Sequence, residues 1–189
     1  MTSGTTASLA FSKANTARNL IVVYVVWDNP GTVKVTDTKG NTYKAATSRK
    51  TFGNNWSAQV FYASNIPGGS NTVKVTFGTA ITSFGLVYLH EYSGLATASP
   101  VDVSKSAGGT SASMSSGAVT TTQANDLLFA AGASDATVTH GTNFTRRLAT
   151  GASLFTYTGA GPFWGPPSIA NGALYEGDMS GNLYALTTS

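Results

Sequence analysis

Eight consecutive apolar residues, Leu20–Trp27, place the tightest limit on what this chain can fold into. Successive side chains of a β-strand point to opposite faces, so a strand that is apolar throughout needs cover on both faces. The run is also far shorter than the roughly 20 apolar residues of a membrane-spanning helix. We therefore predict a central strand, with one face on the core and the other covered by a loop or a partner.

Strand signals of this kind recur at short intervals, with Gly, Pro, Asn or Asp between them, which is typical of a sandwich or jelly roll. Residues 73–77 alternate cleanly between apolar and polar, and 37–41 has the composition of a turn. No window shows the 3.6-residue apolar period of a helix. We predict an all-β fold: a two-sheet antiparallel β-sandwich, jelly-roll-like, with a C-terminal β-hairpin. The predicted strands are 6–11, 20–27, 32–36, 58–63, 71–77, 84–92, 117–121, 126–131, 143–148, 153–157, 173–176 and 182–186.

Charge and cysteine content exclude several classes of protein. Only 10% of the 189 residues are charged, and the net charge of +3 comes from eleven Lys and Arg scattered along the chain. Neither nucleic-acid binding nor membrane insertion is supported, since there is no basic cluster and no long apolar segment. The chain has no cysteine, which excludes a disulfide framework and thiolate metal sites. Its start lacks the basic and apolar regions of a signal peptide.

Several motifs carry a resemblance that covers residues 5 to about 158. In order along the chain they resemble a group of uncharacterised bacterial extracellular β-sandwich domains, which often sit as modules in large secreted proteins. The resemblance implies an extracellular or secreted location and a sandwich over residues 1–158, and it brings no reaction with it. The motifs are the strand after Asn19, residues 35–43, 66–73, 91–95, 100–103 and 121–129.

The C-terminal segment carries a second resemblance, to a different kind of protein. Residues 166–186 resemble the hairpin repeat of a quinoprotein-type (PQQ-like) β-propeller. A propeller needs at least about four blades, so half of one implies neither a propeller nor a quinone site. An isolated hairpin is marginal in water. We therefore expect the segment 159–189 to pack on its own sandwich or on a neighbouring subunit, the second giving a homo-oligomer.

Ionisable residues offer little for catalysis, and we assign no catalytic residue. A jelly-roll glycoside hydrolase would need two carboxylates facing one cleft, for which Glu91 with Asp28 is the candidate pair. No His spacing fits a transition-metal site, and no cofactor is expected. Calcium is the one metal we consider, at Asp37 with Asn41 or at Asp135, against the alternative that these residues form ordinary turns.

Aromatic residues give the best functional lead. Trp27, Tyr24 and Phe129 belong to apolar runs and are predicted core. The ligand-binding candidates instead sit in loops, where large rings beside amides suit a polysaccharide or cell-surface glycan. The alternative is that these rings cover a sandwich end or an intersubunit contact. The candidates are Trp56, Asn54, Asn55, Trp164 and Phe163.

Three functions remain open from the sequence. The first is a non-catalytic extracellular β-sandwich module for adhesion, glycan binding or structural display. The second is a self-assembling structural subunit of an extracellular fibre or sheath, joined by strand addition. The third is the jelly-roll glycoside hydrolase. Fold analogy does not decide among them.

Overall fold

A computed structural model of the chain describes residues 1, 3–53, 55–110 and 115–133, and the backbone of three short C-terminal strands. The described residues form strands and no helix, which confirms the predicted all-β class. In this part of the chain no helix is therefore long and apolar enough to cross a bilayer. The strands are β1 (Gly4–Ala10), β2 (Leu20–Trp27), β3 (Val33–Asp37), β4 (Lys44–Ala45), β5 (Lys50–Phe52), β6 (Trp56–Ala63), β7 (Thr72–Ile81), β8 (Gly85–Tyr92), β9 (Ser168–Ala170), β10 (Ala173–Gly177) and β11 (Leu183–Thr187).

Two antiparallel sheets pack face to face as a sandwich. Sheet A has the strand order β1-β7-β3, and sheet B has the order β4-β6-β2-β8 with β5 also paired to β6. Apolar side chains from both sheets meet in one buried cluster, as predicted for a two-sheet sandwich. Its members are Ile21, Val23, Val25, Trp27, Val35, Phe61, Ala63, Ile66, Val73, Val75, Phe77 and Ile81.

The strand β2 lies at the centre of sheet B, between β6 and β8. Its odd-numbered residues belong to the core between the sheets, and its even-numbered residues are also buried, with Tyr24 at 3% exposure and Val26 at 0%. Each buried Val contributes about 1.5–3 kcal/mol of transfer free energy. Burial also raises the pKa of the Tyr24 phenol above its ordinary value. The prediction of a central strand covered on both faces is confirmed.

Strand β7 alternates as its sequence predicts. Val73, Val75 and Phe77 are buried at 0%, 0% and 2% exposure, whereas Lys74 is exposed. The strand continues past the alternating segment to Ile81, so it is longer than predicted, and it pairs with β1 on one side and β3 on the other.

The turn after β3 is built around one carboxylate. Asp37 Oδ1 accepts hydrogen bonds from the backbone N–H groups of Lys39 (3.1 Å) and Asn41 (3.0 Å), the side-chain mimic of a turn that Asp favours. Gly40 has a φ of 72°, a left-handed conformation that costs other residues about 1 kcal/mol or more. The predicted turn at 37–41 is confirmed.

Two predicted strands are wrong. Residues 117–121 and 126–131 are described without strand structure, and Leu128 is 63% exposed where a buried position was expected. An apolar run forms a strand only where a neighbouring strand supplies its ladder hydrogen bonds, and none of the ladders of sheets A and B includes these residues. The predicted strands 143–148 and 153–157 lie outside the described residues.

At its C-terminal end the chain forms the predicted antiparallel hairpin. Strand β10 pairs with β11, with Leu174 opposite Leu186, and it also pairs with the unpredicted strand β9. The three strands make a separate sheet C, in the order β11-β10-β9. By contacts the chain divides into two compact units, Met1–Asp126 and Leu127–Ser189. The sequence-based boundary between 158 and 159 stays a prediction.

Candidate functional site

One end of sheet B brings together three residues that are distant along the chain. Trp27 closes β2 and lies opposite Ser57 on one side and Gly85 on the other. The residues one step beyond this row are Asp28, Trp56 and Phe84, which therefore meet at the same end of the sheet. We call these three residues, with the turn 82–84, the Trp56 end.

Trp56 and Phe84 form an aromatic pair at this end. Their ring centroids are 5.0 Å apart and their planes are inclined by 54°, within the range of favourable tilted aromatic contacts. Both side chains are half-buried. Trp56 is thus the first residue of β6 rather than a loop residue, and it lies opposite Phe52 across the turn that joins β5 to β6.

Two described residues of the connection between β5 and β6 have positive φ. Gly53 and Asn55 have φ values of 51° and 72°, so two backbone positions adopt left-handed conformations within three residues. Glycine and asparagine tolerate this region better than other residues do, which is why the chain can reverse here. The turn leaves the Asn55 side chain exposed beside Trp56.

Asp28 fixes the backbone that carries Phe84. Its Oδ2 accepts hydrogen bonds from the N–H groups of Thr82 (2.8 Å), Ser83 (2.5 Å) and Phe84 (3.3 Å). It also accepts from the Thr82 and Ser83 hydroxyls, at 3.1 and 2.9 Å. Burial alone would raise the pKa of Asp28, but these hydrogen bonds outweigh it and lower the pKa to about 2. The turn 82–84 is therefore held by hydrogen bonds to the Asp28 carboxylate, which is negatively charged at ordinary pH.

Of the five predicted ligand-binding residues, the structure describes two. Trp56 and Asn55 are adjacent at the Trp56 end, whereas Asn54, Phe163 and Trp164 lie outside the described residues. The sequence did not identify Phe84 or the polar turn before it as part of this site. Phe84 is far from Trp56 along the chain, and only the register of β6 and β8 on β2 brings the two rings together.

Glu91 has a structural role at the opposite end of sheet B. Its carboxylate accepts hydrogen bonds of 2.7 Å from Asn15 Nδ2, the Thr16 backbone N–H and Asn19 Nδ2. These bonds attach the loop between β1 and β2 to strand β8.

The hydrolase pair of Glu91 and Asp28 is wrong on distance. Glu91 lies opposite Ile21 near the start of β2, and Asp28 lies seven residues further on. At about 3.3 Å per residue the two are roughly 23 Å apart. Glycoside hydrolases need their carboxylates within roughly 5–9.5 Å of each other.

His90 is a half-buried residue of β8. Its ring stacks on Tyr92, with centroids 6.3 Å apart and planes inclined by 27°. Burial lowers the pKa of His90 to about 4, so its imidazole is neutral at ordinary pH.

The calcium candidate Asp37 is engaged by hydrogen-bond donors. Besides the two backbone N–H groups at Oδ1, its Oδ2 accepts from Asn41 Nδ2 (2.6 Å), Asn71 Nδ2 (2.9 Å) and the Tyr43 hydroxyl (2.9 Å). Burial alone would raise the pKa of Asp37, but these bonds hold it below its ordinary value. A cation would have to displace N–H and O–H groups, so the geometry suits a structural turn better than a calcium site.

The described residues hold no group of three or more His, Cys, Asp or Glu that could bind a metal ion. The second calcium candidate, Asp135, lies outside them. No family model, no curated protein and no solved structure matches the chain.

Proposed function

We propose that this chain is a non-catalytic extracellular module that binds glycans at the Trp56 end. The observation that carries the proposal is the half-buried aromatic pair of Trp56 and Phe84, 5.0 Å apart, at the end of sheet B. Aromatic rings stack on the flat apolar faces of sugars, and neighbouring polar groups take the hydroxyls. The extracellular location rests on the sequence resemblance to modules of secreted proteins.

Polar groups around the pair support this proposal. Asn55, Thr82 and Ser83, which lie within two residues of Trp56 or Phe84 along the chain, are exposed. The Thr82 and Ser83 hydroxyls donate to Asp28, which leaves their oxygen lone pairs to accept hydrogen bonds from sugar hydroxyls. The side-chain amide of Asn55 adds both a donor and an acceptor. This mixture of rings, hydroxyls and an amide suits a neutral, hydroxyl-rich ligand.

The test is the retention of the Trp56→Ala variant on insoluble polysaccharides. We expect retention at least about tenfold weaker than for the parent, because the ring supplies most of the stacking area. Tyr62→Ala is the matched control, since Tyr62 is a half-buried aromatic residue on the same face of β6 at its far end. Equal retention by the parent and Trp56→Ala, or an equal loss in both variants, would remove the Trp56 end from the site.

Sheet C favours a second candidate, the self-assembling subunit. Its outer strands β9 and β11 each have one neighbour in the described ladders, so each can accept a strand from another chain. Deleting residues 168–189 tests this role by size-exclusion chromatography with light scattering. Oligomers in the parent and a folded monomer in the truncated chain are expected from self-assembly. A parent that is monomeric would exclude it.

A further inference from the structure

We propose that the outer face of sheet A is a second binding site, which takes an acidic polysaccharide carrying carboxylate groups. This inference goes beyond the glycan binding proposed for the Trp56 end, because it concerns the other sheet and a negatively charged ligand. It follows from the side chains that the registers of β1, β7 and β3 bring together on this face, and from their charge and exposure.

The ladder registers arrange hydroxyl and ammonium groups in rows across this face. Because Val75 lies in the core between the sheets, its neighbours Lys74 and Thr76 point outward. Side chains directly opposite each other in neighbouring strands lie on the same face of a sheet. The outward-pointing residues therefore form two rows across the three strands: Lys34, Thr76 and Thr6 in the first row, and Thr36, Lys74 and Ser8 in the second.

The two lysines of these rows are open to solvent. Lys34 and Lys74 are exposed, and so are Thr6 and Ser8 beside them. Within the described residues, neither ammonium group has a hydrogen-bond or ion-pair partner. The two lysines lie on a diagonal between adjacent strands, where neighbouring positions are about 7–8 Å apart. The face therefore carries two uncompensated positive charges within reach of one ligand.

A third positive charge lies at the end of the same sheet. Lys39 belongs to the turn after β3, and its Nζ lies against Gly69, where an added Cβ would be 2.8 Å from it. The carboxylate of β3, Asp37, lies opposite the core residue Val73, so it points away from the outer face. Its five hydrogen-bond donors are N–H and O–H groups, none of them an ammonium group. Asp37 therefore forms no ion pair with these lysines.

These features favour an acidic polysaccharide over other polyanions. Binding of single-stranded nucleic acid depends on aromatic rings that stack on the bases, and the two rows contain no aromatic residue. Recognition of an anionic membrane takes about 4–8 clustered Lys or Arg, whereas this face has Lys34 and Lys74, with Lys39 at its end. The carboxylates of a polysaccharide would pair with the ammonium groups, and its hydroxyls would bond to the Thr and Ser side chains.

The test measures binding of the full chain to polygalacturonate and to its methyl ester, which has the same sugar backbone without the charge. We expect binding to polygalacturonate at least about fivefold tighter than to the ester at low salt. The difference should shrink as salt is added, because salt screens exposed charges. Equal binding to the two polymers, or no binding to polygalacturonate, would overturn the inference. Tighter binding to single-stranded DNA or to phosphatidylserine vesicles would also overturn it.

Charge-matched variants locate the site on the protein. Lys34→Gln combined with Lys74→Gln should weaken binding to polygalacturonate by at least about fivefold. The control, Lys44→Gln combined with Lys50→Gln, removes the same charge from β4 and β5 of sheet B and should weaken binding by less than about twofold. Binding at the parent level by the sheet A variant, or equal weakening in both variants, would contradict the assignment to sheet A.

The variant Trp56→Ala separates this site from the Trp56 end. We expect Trp56→Ala to bind polygalacturonate as the parent does, because Trp56 belongs to sheet B. Loss of polygalacturonate binding in this variant would overturn the inference of a second site. Parent-level binding of Trp56→Ala to both neutral polysaccharides and polygalacturonate would overturn the function proposed for the Trp56 end and support the separate site on sheet A.

Discussion

Replacing Asp37 by Ala should destabilise the sandwich, because this one carboxylate holds the turn after β3 together. Five donors converge on this side chain: two backbone N–H groups, two Asn amides and the hydroxyl of Tyr43. Among them Asn71 is only 3% exposed, so its amide would lose its partner in a place that water reaches poorly. The Tyr43 hydroxyl donates to Asp37 at 2.9 Å, and burial together with this bond raises the pKa of Tyr43.

The magnitude follows from these partners. A hydrogen bond to a charged group contributes about 1.5–3 kcal/mol, and an orphaned buried donor costs about 1–3 kcal/mol. The five bonds do not add, and solvent screens a side chain that is partly exposed. We therefore expect a loss of about 3 kcal/mol in the free energy of unfolding. For a domain of this size that corresponds to a fall in Tm of about 6–12 °C.

The pH dependence provides a sharper check on the same variant. The hydrogen bonds lower the pKa of Asp37 in the folded state, so its contribution is fully present above the unfolded-state value of about 4 and is lost as pH falls below it. Urea unfolding of the parent and of Asp37→Ala from pH 7 to pH 2 should therefore give curves that converge in acid. A difference below about 1 kcal/mol at pH 7, or one that stays constant down to pH 2, would refute the reasoning.

Two further predictions concern burial and loop attachment. Val23→Asp should prevent folding, because an unpaired carboxylate at a position with 0% exposure costs several kcal/mol. Leu128→Asp should change the free energy of unfolding by less than about 0.5 kcal/mol, because Leu128 is 63% exposed. Cooperative urea unfolding of the Val23 variant would contradict the first expectation. A large loss in the free energy of unfolding of the Leu128 variant would contradict the second. Glu91→Ala should loosen the loop between β1 and β2, which backbone bonds to residues 66–69 also hold, and should speed cleavage by trypsin after Arg18. Cleavage at the parent rate would show that the three bonds to Glu91 are dispensable.

Local patterns predicted the parts of the fold that depend on local causes. The apolar run of β2, the alternation in β7 and the Asp-centred turn each carry their own explanation in consecutive residues. The strands β4 and β5 have only two and three residues, which is too short for any period, so pairing with β6 alone defines them. Residues 126–131 were instead predicted as a strand that the structure does not have. Their apolar character indicates a tendency to be buried, but it does not indicate which strand would be their neighbour.

The candidate site was predictable only in part, for the same reason. Trp56 and Asn55 stood out from composition and neighbours, and the structure places them together at one end of sheet B. Phe84 is distant in sequence and owes its place to the register of β8 on β2. Asp28 was considered only as half of a hydrolase pair, and its role in holding the 82–84 turn depends on hydrogen bonds to a segment more than fifty residues away.

The central position of β2 also has a consequence during synthesis. Leu20 pairs with Tyr92, so the ladder between β2 and β8 cannot be completed until 72 more residues have been made. At about 5–20 residues per second, this takes roughly 4–14 s. Until then the β8 side of β2 has no partner strand, and its eight residues are apolar, of high β-propensity and uncharged, a combination prone to aggregation. We expect chaperones to crosslink to ribosome-bound chains that end before Gly85. The crosslinks should be lost in chains long enough to complete β8 outside the ribosome.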